Sequence, residues 1–270
     1  MYRLLLILFF CASCLTNPVQ AHGNLHEQIE ELTAQIEEQP ENAVLYVQRG
    51  LLHRSHGTYM EAVTDLQKAL ALDETLEVVY IHLSQAYLQK EVADSALLHI
   101  DHYLSGDPQN PTALMTKGDA YQQLGNSDLA AVTYEKAIVL KGDKAKVQDY
   151  ISWANATAMS SPQSALQCLD KGMQQFGPLI TLQEFALQIE LKNALYDNAI
   201  HRINAIMQPL QRKETWLVRK AEILEQAQQP QAAQTTYREA QKAIQQLKPR
   251  LQNTDVVKAL SKKIENALYP

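Results

Sequence analysis

Among the side chains able to do chemistry, the histidines have the most suggestive spacing: His53 and His56 lie three apart, and so do His99 and His102. Three residues is close to one helical turn, so each pair offers two imidazoles on one face to a metal ion. His22 and His26 form another grouping, because a chain cut after Ala21 would begin with a free amine and an imidazole on one residue. That combination chelates copper when a further histidine is close, yet two ligands alone do not close a site. Cys11 and Cys14 form a CxxC, but they sit inside an apolar run, a location that rules out redox or zinc chemistry. The acid pairs Glu30-Glu31 and Glu37-Glu38 are helix neighbours that do not face one another, and they read as solvated charge. No GxSxG, HExxH, GxxxxGK[ST] or GxGxxG occurs. Without a convergent acid, base or nucleophile, the expectation is a protein that is not an enzyme and has no catalytic residues, resident metal or cofactor.

The elements that would position these residues are helices. Of the 270 residues, 46% are hydrophobic and 20% charged, enough apolar material for a real core. Gly is scarce, and Ala, Leu, Gln, Glu and Lys, all good helix formers, dominate. The net charge is −6, and no run of Lys and Arg with interleaved aromatics appears. Nucleic acid, whose binding depends on displacing counterions with cationic side chains, is therefore excluded as a partner.

Residues 1–21, MYRLLLILFFCASCLTNPVQA, carry one basic residue, an apolar run and a closing small-x-small pattern, the form of a secretory signal peptide. The run is shorter than the roughly 20 residues a membrane span needs, so no span is expected. Two processing routes stay open. One cuts after Ala21; the other acts at Cys14, where Cys11-Ala12-Ser13-Cys14 resembles a lipobox with Cys11 in place of the usual aliphatic residue, and would leave a lipid anchor. The expected location is export, to the periplasm or as a membrane-anchored lipoprotein. Only Cys168 survives trimming, so no internal disulfide holds the fold.

The helices repeat. Ala62, Ala96 and Ala130 recur at an interval of 34, as do Leu66, Ile100 and Tyr134; Gly50 and Gly118 stand two intervals apart with Ser84 between them. Each period holds two helices, the first about Ala43 to Ser55 and the second about Tyr59 to Leu72, joined by a Gly-containing turn. Gly or Ser on the first and Ala on the second let the backbones approach, and a large residue fills the gap beside them. Such short helices are stable only through stacking. On this frame His53 occupies the place of Tyr87 and Tyr121 and reads as packing, whereas His99 and His102 flank Ile100 and read as outward-facing.

In the stretch AVLYVQRGLLHRSHGTYMEAVTDLQKALALDE, residues Tyr46, Gly50, Gly57, Tyr59, Ala62, Leu66 and Ala69 resemble the tetratricopeptide repeat family in both period and small/large pattern. The resemblance is strong over Ala43 to Leu140. It continues more weakly through three further pairs, which begin near Gln148, Leu182 and Trp216 and each need about one residue of insertion or deletion. The organisation expected is therefore a leader at 1–21, an N-terminal capping helix at 22–42, three well-matched units at 43–144, three degenerate units at 145–248 and a C-terminal capping helix at 249–270. The two caps show single apolar stripes, Leu25, Ile29, Leu32 and Ile36 at one end and Val257, Leu260, Ile264 and Leu268 at the other. By the resemblance, the fold class is an all-α, right-handed superhelical solenoid of about six helix pairs whose first helices line a concave groove.

The resemblance also implies a function, the binding of a protein or peptide segment in that groove. The matching groove positions are Val47, Leu51, Arg54, Ile81, His82, Gln85 and Gln89, followed by Met115, Asp119 and Gln122. The family's clamp for acidic chaperone tails needs Lys, Asn and Arg, and the matching positions hold Val47, Leu51, His82, Thr112 and Thr116, so that role is not expected. The groove suits an aliphatic or aromatic anchor with a polar rim. The reading is a non-enzymatic adaptor in a bacterial envelope. The alternative is an exported copper-handling protein using His22, His26 and the paired histidines. Tyr150 and Trp153, about one turn apart, read as core or as a sticky spot on the inner wall. The oligomeric state is not legible.

Overall fold

The computed structural model describes residues 18–269, with side chains from Asn24 onward. The leader's apolar run with Cys11 and Cys14, and the side chain of His22, lie outside the described residues. Helices make up the regular structure: α1 (Pro18–Glu38), α2 (Ala43–His56), α3 (Tyr59–Leu72), α4 (Val78–Gln89), α5 (Ala93–Gly106), α6 (Pro111–Gln123), α7 (Ser127–Lys141), α8 (Val147–Ala158), α9 (Pro162–Phe176), α10 (Ile180–Lys192), α11 (Tyr196–Met207), α12 (Glu214–Gln226), α13 (Pro230–Gln245), α14 (Pro249–Gln252) and α15 (Asp255–Leu268). The chain forms two compact units, residues 1–108 with α1 to α5 and residues 109–270 with α6 to α15. Within each unit a helix packs on the one before it and the one after it, up to α13, which packs on α15. That nearest-neighbour stacking is the construction of an α-solenoid, so the expected all-α class is the one observed.

The starts of the helices are encoded locally. The Asn42 side chain accepts from the Val44 amide at 3.2 Å, and Asn110 accepts from both Thr112 and Ala113 at 3.1 Å. Ser161 accepts from Ser164, and Pro111, Pro162 and Pro230 occupy first-turn positions where no amide is needed.

Five of the turns inside helix pairs share one ending. Gly57, Glu91, Gly125, Ala194 and Gln228 all have positive φ. In each, the next amide reaches back to a carbonyl in the preceding turn: Thr58 to His53, Val92 to Tyr87, Asn126 to Tyr121, Leu195 to Glu190 and Gln229 to Leu224, at 2.8–3.0 Å. This left-handed helix ending satisfies two otherwise unpaired carbonyls and reverses the chain. The α8–α9 turn is built differently, with Met159 right-handed and Ser161 capping the next helix. Ala194 holds φ +55 with a β-carbon that this region disfavours. Ala194→Gly is therefore expected to stabilise the protein by about 1 kcal/mol, read as a raised urea midpoint.

The structure also sets the register of the later pairs. Ala62, Ala96, Ala130, Ala165, Ala199 and Ala233 are all buried on the second helices, and four residues further on so are Leu66, Ile100, Tyr134, Leu169, Ile203 and Tyr237. The interval is 34 throughout except for one extra residue between Ala130 and Ala165. A small residue followed by a large one, a turn later on the same face, recurs in every pair. Tyr150 and Trp153 are both buried in the α7–α10 core, which assigns them to packing. Cys168 is buried in the same core, and burial pushes its thiol up.

A second recurring slot joins a residue late in the first helix to one on the second. His53 faces Asp65 at 3.9 Å, Tyr87 stacks on His99 with ring centroids 5.4 Å apart, and Glu190 takes Arg202 in a bidentate pair at 2.7–3.0 Å. His99 therefore does not face outward as its spacing implied. The tyrosines of α4 hold it, and Tyr80 lies 4.1 Å from the His102 ring as well. Asp65 is completed by Arg49, whose Nε and Nη2 donate at 2.8 and 2.7 Å while Nη1 donates to Thr33 of α1.

Candidate binding face on the first helices

In the first unit the candidate wall is built from α2 and α4, which are in contact. On α2, Val47, Leu51 and Arg54 lie along one face at spacings of four and three. Val47 and Leu51 are half-buried, and Val47 packs against the core on its inner side. On α4 the corresponding face carries Val78, His82, Gln85 and Gln89. Val78 is 51% exposed, an apolar position that the sequence reading did not include. Ile81 is only 5% exposed and belongs to the core, a correction to its placement on the wall. The reason is rotational: adjacent helix residues are about 100° apart, so Ile81 turns into the core while His82 stays half-buried at its margin.

The polar part of this wall is tied across the two helices. Arg54 Nη1 donates to Gln85 Oε1. Burial lowers the Arg54 pKa, and no carboxylate pairs with its guanidinium among the described residues. His82 is held below its usual range first by burial and then by the Arg54 charge, with a hydrogen bond to Gln85 acting the other way. His82 Nδ1 is buried with no hydrogen-bond partner.

The second unit carries the remaining predicted positions on α6. Met115 is half-buried against the α7–α10 core. Asp119 is exposed, and its Oδ1 accepts from the Tyr134 hydroxyl at 2.7 Å. Gln122 Oε1 is buried without a hydrogen bond. A separate cleft of about 740 Å³ opens in this unit between α9 and α11, with Gln183, Glu190 and Arg202 at its lining and Asp170, Asp197 and His201 beside them. Nothing in the sequence pattern pointed to it, since it is assembled from three helices whose spacing is read only within each.

The metal alternative gains no geometry. Among the described residues no group of three or more His, Cys, Asp or Glu is arranged to hold an ion, and His26 pairs with Glu30 at 3.2 Å on the exposed face of α1. No helix among the described residues is long and apolar enough to cross a membrane.

Comparison with known proteins places this geometry. The sequence model described as tetratricopeptide repeat matches residues 111–144, the span of α6, its turn and α7. No curated protein sequence matches the chain. A solved tetratricopeptide repeat protein from Parabacteroides merdae ATCC 43184 is 19% identical, covering 91% of this chain and 94% of its own, with a TM-score of 0.59. YrrB, described as a TPR protein with an unusual peptide-binding site, is 20% identical over 68% of this chain and 95% of its own, with a TM-score of 0.53. MamA from Desulfovibrio magneticus RS-1 is 17% identical over 57% and 87%, with a TM-score of 0.53. Likeness at these identities speaks to fold. Residues 111–144 are thus a tetratricopeptide repeat, and the same small/large ladder and left-handed turns recur in both units, giving the chain the fold of a tetratricopeptide repeat solenoid.

Proposed function

We propose that the protein is a non-enzymatic adaptor that holds a segment of a partner protein against the first helices. The observation that carries this reading is the row of Val47, Leu51 and Val78, apolar side chains left partly or largely open on the first helices. The peptide-binding site in the description of YrrB supports the same use of the fold. An apolar row rimmed by Arg54, His82, Gln85 and Gln89 suits an extended or helical segment with aliphatic or aromatic anchors.

The test compares a substitution on the open face with one in the core. Leu51→Glu is expected to weaken binding of peptides selected from a random display library at least about tenfold, while leaving the unfolding free energy within about 1 kcal/mol of the parent. Ile81→Glu is expected to cost about 3 kcal/mol or more, because it buries an unpaired charge. If Leu51→Glu binds the selected peptides as well as the parent does, the adaptor reading falls.

The site of action proposed is the bacterial envelope, in the periplasm or tethered by lipid at Cys14. The form of residues 1–21 supports this. Deleting residues 1–21 is expected to leave the protein in the cytoplasmic fraction, and Cys14→Ala is expected to release it from membranes only if the lipid route operates. Unchanged fractionation of the deletion would remove export from the proposal.

A further inference from the structure

Three features of the first unit converge on one place. Arg54 is partly withdrawn from water with no carboxylate paired to it, and its link is to the neutral Gln85 amide. One helix across, His82 has a buried Nδ1 that nothing satisfies. Beside both, Leu51 and Val47 offer apolar surface. Other partly buried cations in the protein show what is missing: Arg49 has Asp65, Lys141 has Asp149 and Arg202 has Glu190, at 2.7–2.8 Å. A desolvated guanidinium without a counter-charge carries a cost that a ligand can remove, and the bond then formed is a charge-assisted one in a poorly solvated place.

Resting on the adaptor reading, we infer that the partner segment carries a single acidic side chain that docks on Arg54 and His82, between apolar residues that lie against Val47, Leu51 and Val78. The protein's own charge narrows this to one acidic side chain rather than an acidic tail: a net charge of −6 repels a strongly acidic partner, so one carboxylate with apolar flanks fits where a run of them does not.

The experiment has two arms on the full-length protein freed of its leader. In the first, sodium acetate is titrated against sodium chloride at matched ionic strength while the Arg54 Nε–H and His82 ring signals are followed by NMR. A saturable acetate shift at both residues is expected. It should be weakened about tenfold or more in Arg54→Gln and largely kept in Arg54→Lys. Shifts equal in chloride, or none, overturn the inference. In the second arm, a peptide library displayed without a free C-terminus is selected on the parent and on Arg54→Gln. The parent is expected to enrich peptides with one Asp or Glu among apolar residues, and Arg54→Gln to lose that enrichment. Peptides that bind through Leu51 without any acidic preference sink this inference and leave the adaptor standing. Peptides that show an acidic preference only when a terminal carboxylate is free also overturn it. A parent that selects no peptide sinks both readings.

Discussion

Arg202→Met is expected to destabilise the second unit by about 3–5 kcal/mol, measured as a lower urea midpoint and as faster hydrogen exchange in α10 and α11. Glu190 is 1% exposed, and Arg202 supplies both of its oxygens with donors at 2.7–3.0 Å while also donating to Gln183. Removing the guanidinium leaves a buried carboxylate with no partner to replace it, and that desolvation cost, rather than the worth of the ion pair, sets the size of the effect. The protein itself contains the control. Leu224 holds in the sixth pair the place that Glu190 holds in the fifth, and Thr236 holds the place of Arg202; both are buried. Glu190→Leu combined with Arg202→Thr should therefore recover most of the loss, because the slot accepts an apolar filling elsewhere in the same chain. A double variant as unstable as Arg202→Met would show that the site needs the ion pair itself, and a single variant costing under about 1 kcal/mol would show that the charge reaches water after all.

That slot also marks where the repeat pattern of the sequence loses its signal. The helix pairs were legible because Ala62, Ala96 and Ala130 keep an unbroken interval and because left-handed glycines close two of the turns. After Leu140 the same construction continues, but its signals change identity. One residue is added before Ala165, the left-handed positions fall on Ala194 and Gln228, and the slot that holds Tyr87 and His99 holds an ion pair instead. The close approach in the fourth pair also moves: there it is Gly172 on the second helix whose missing β-carbon makes room for Tyr150. A small/large rule can be satisfied by either helix, and a pattern that fixes which one carries the glycine misses the exchange. On the candidate face, spacing along one helix placed Val47, Leu51 and Arg54 together. It could not show Arg54 linked to Gln85, 31 residues away on the next first helix, and it set Ile81 on the wrong side by a single step of helical rotation.

The matched repeat itself supplies the sharpest steric expectation. Gly118→Ala places a β-carbon 2.5 Å from Tyr134 Cε1 and 2.6 Å from Cδ1, distances that non-bonded carbons do not adopt. The ring has little freedom to yield: Tyr134 is 2% exposed and its hydroxyl is engaged by Asp119 at 2.7 Å. Against this stands the helix-propensity gain of about 1 kcal/mol for Gly to Ala. Overpacking a tight core costs about 1–3 kcal/mol when neighbours can shift and more when they cannot, so the clash wins, with a net loss of about 2 kcal/mol expected in a urea melt. Gly50→Ala is the internal comparison. Its new contacts are looser, Leu66 Cγ at 3.0 Å and the Ala62 carbonyl oxygen and Asp65 Cβ at 3.3 Å, so its effect should be smaller, within about 1 kcal/mol of zero after the gain in helix propensity. Because Leu66 fills in the first pair the place that Tyr134 fills in the third, Tyr134→Leu should relieve Gly118→Ala while costing stability in the parent through the lost ring and hydroxyl. The double-mutant cycle is then expected to show a favourable interaction of about 1 kcal/mol or more between the two substitutions. A stabilised Gly118→Ala, or a cycle that closes at zero, would mean that the two helices can part without loss, and the small/large ladder would no longer account for how these pairs are held.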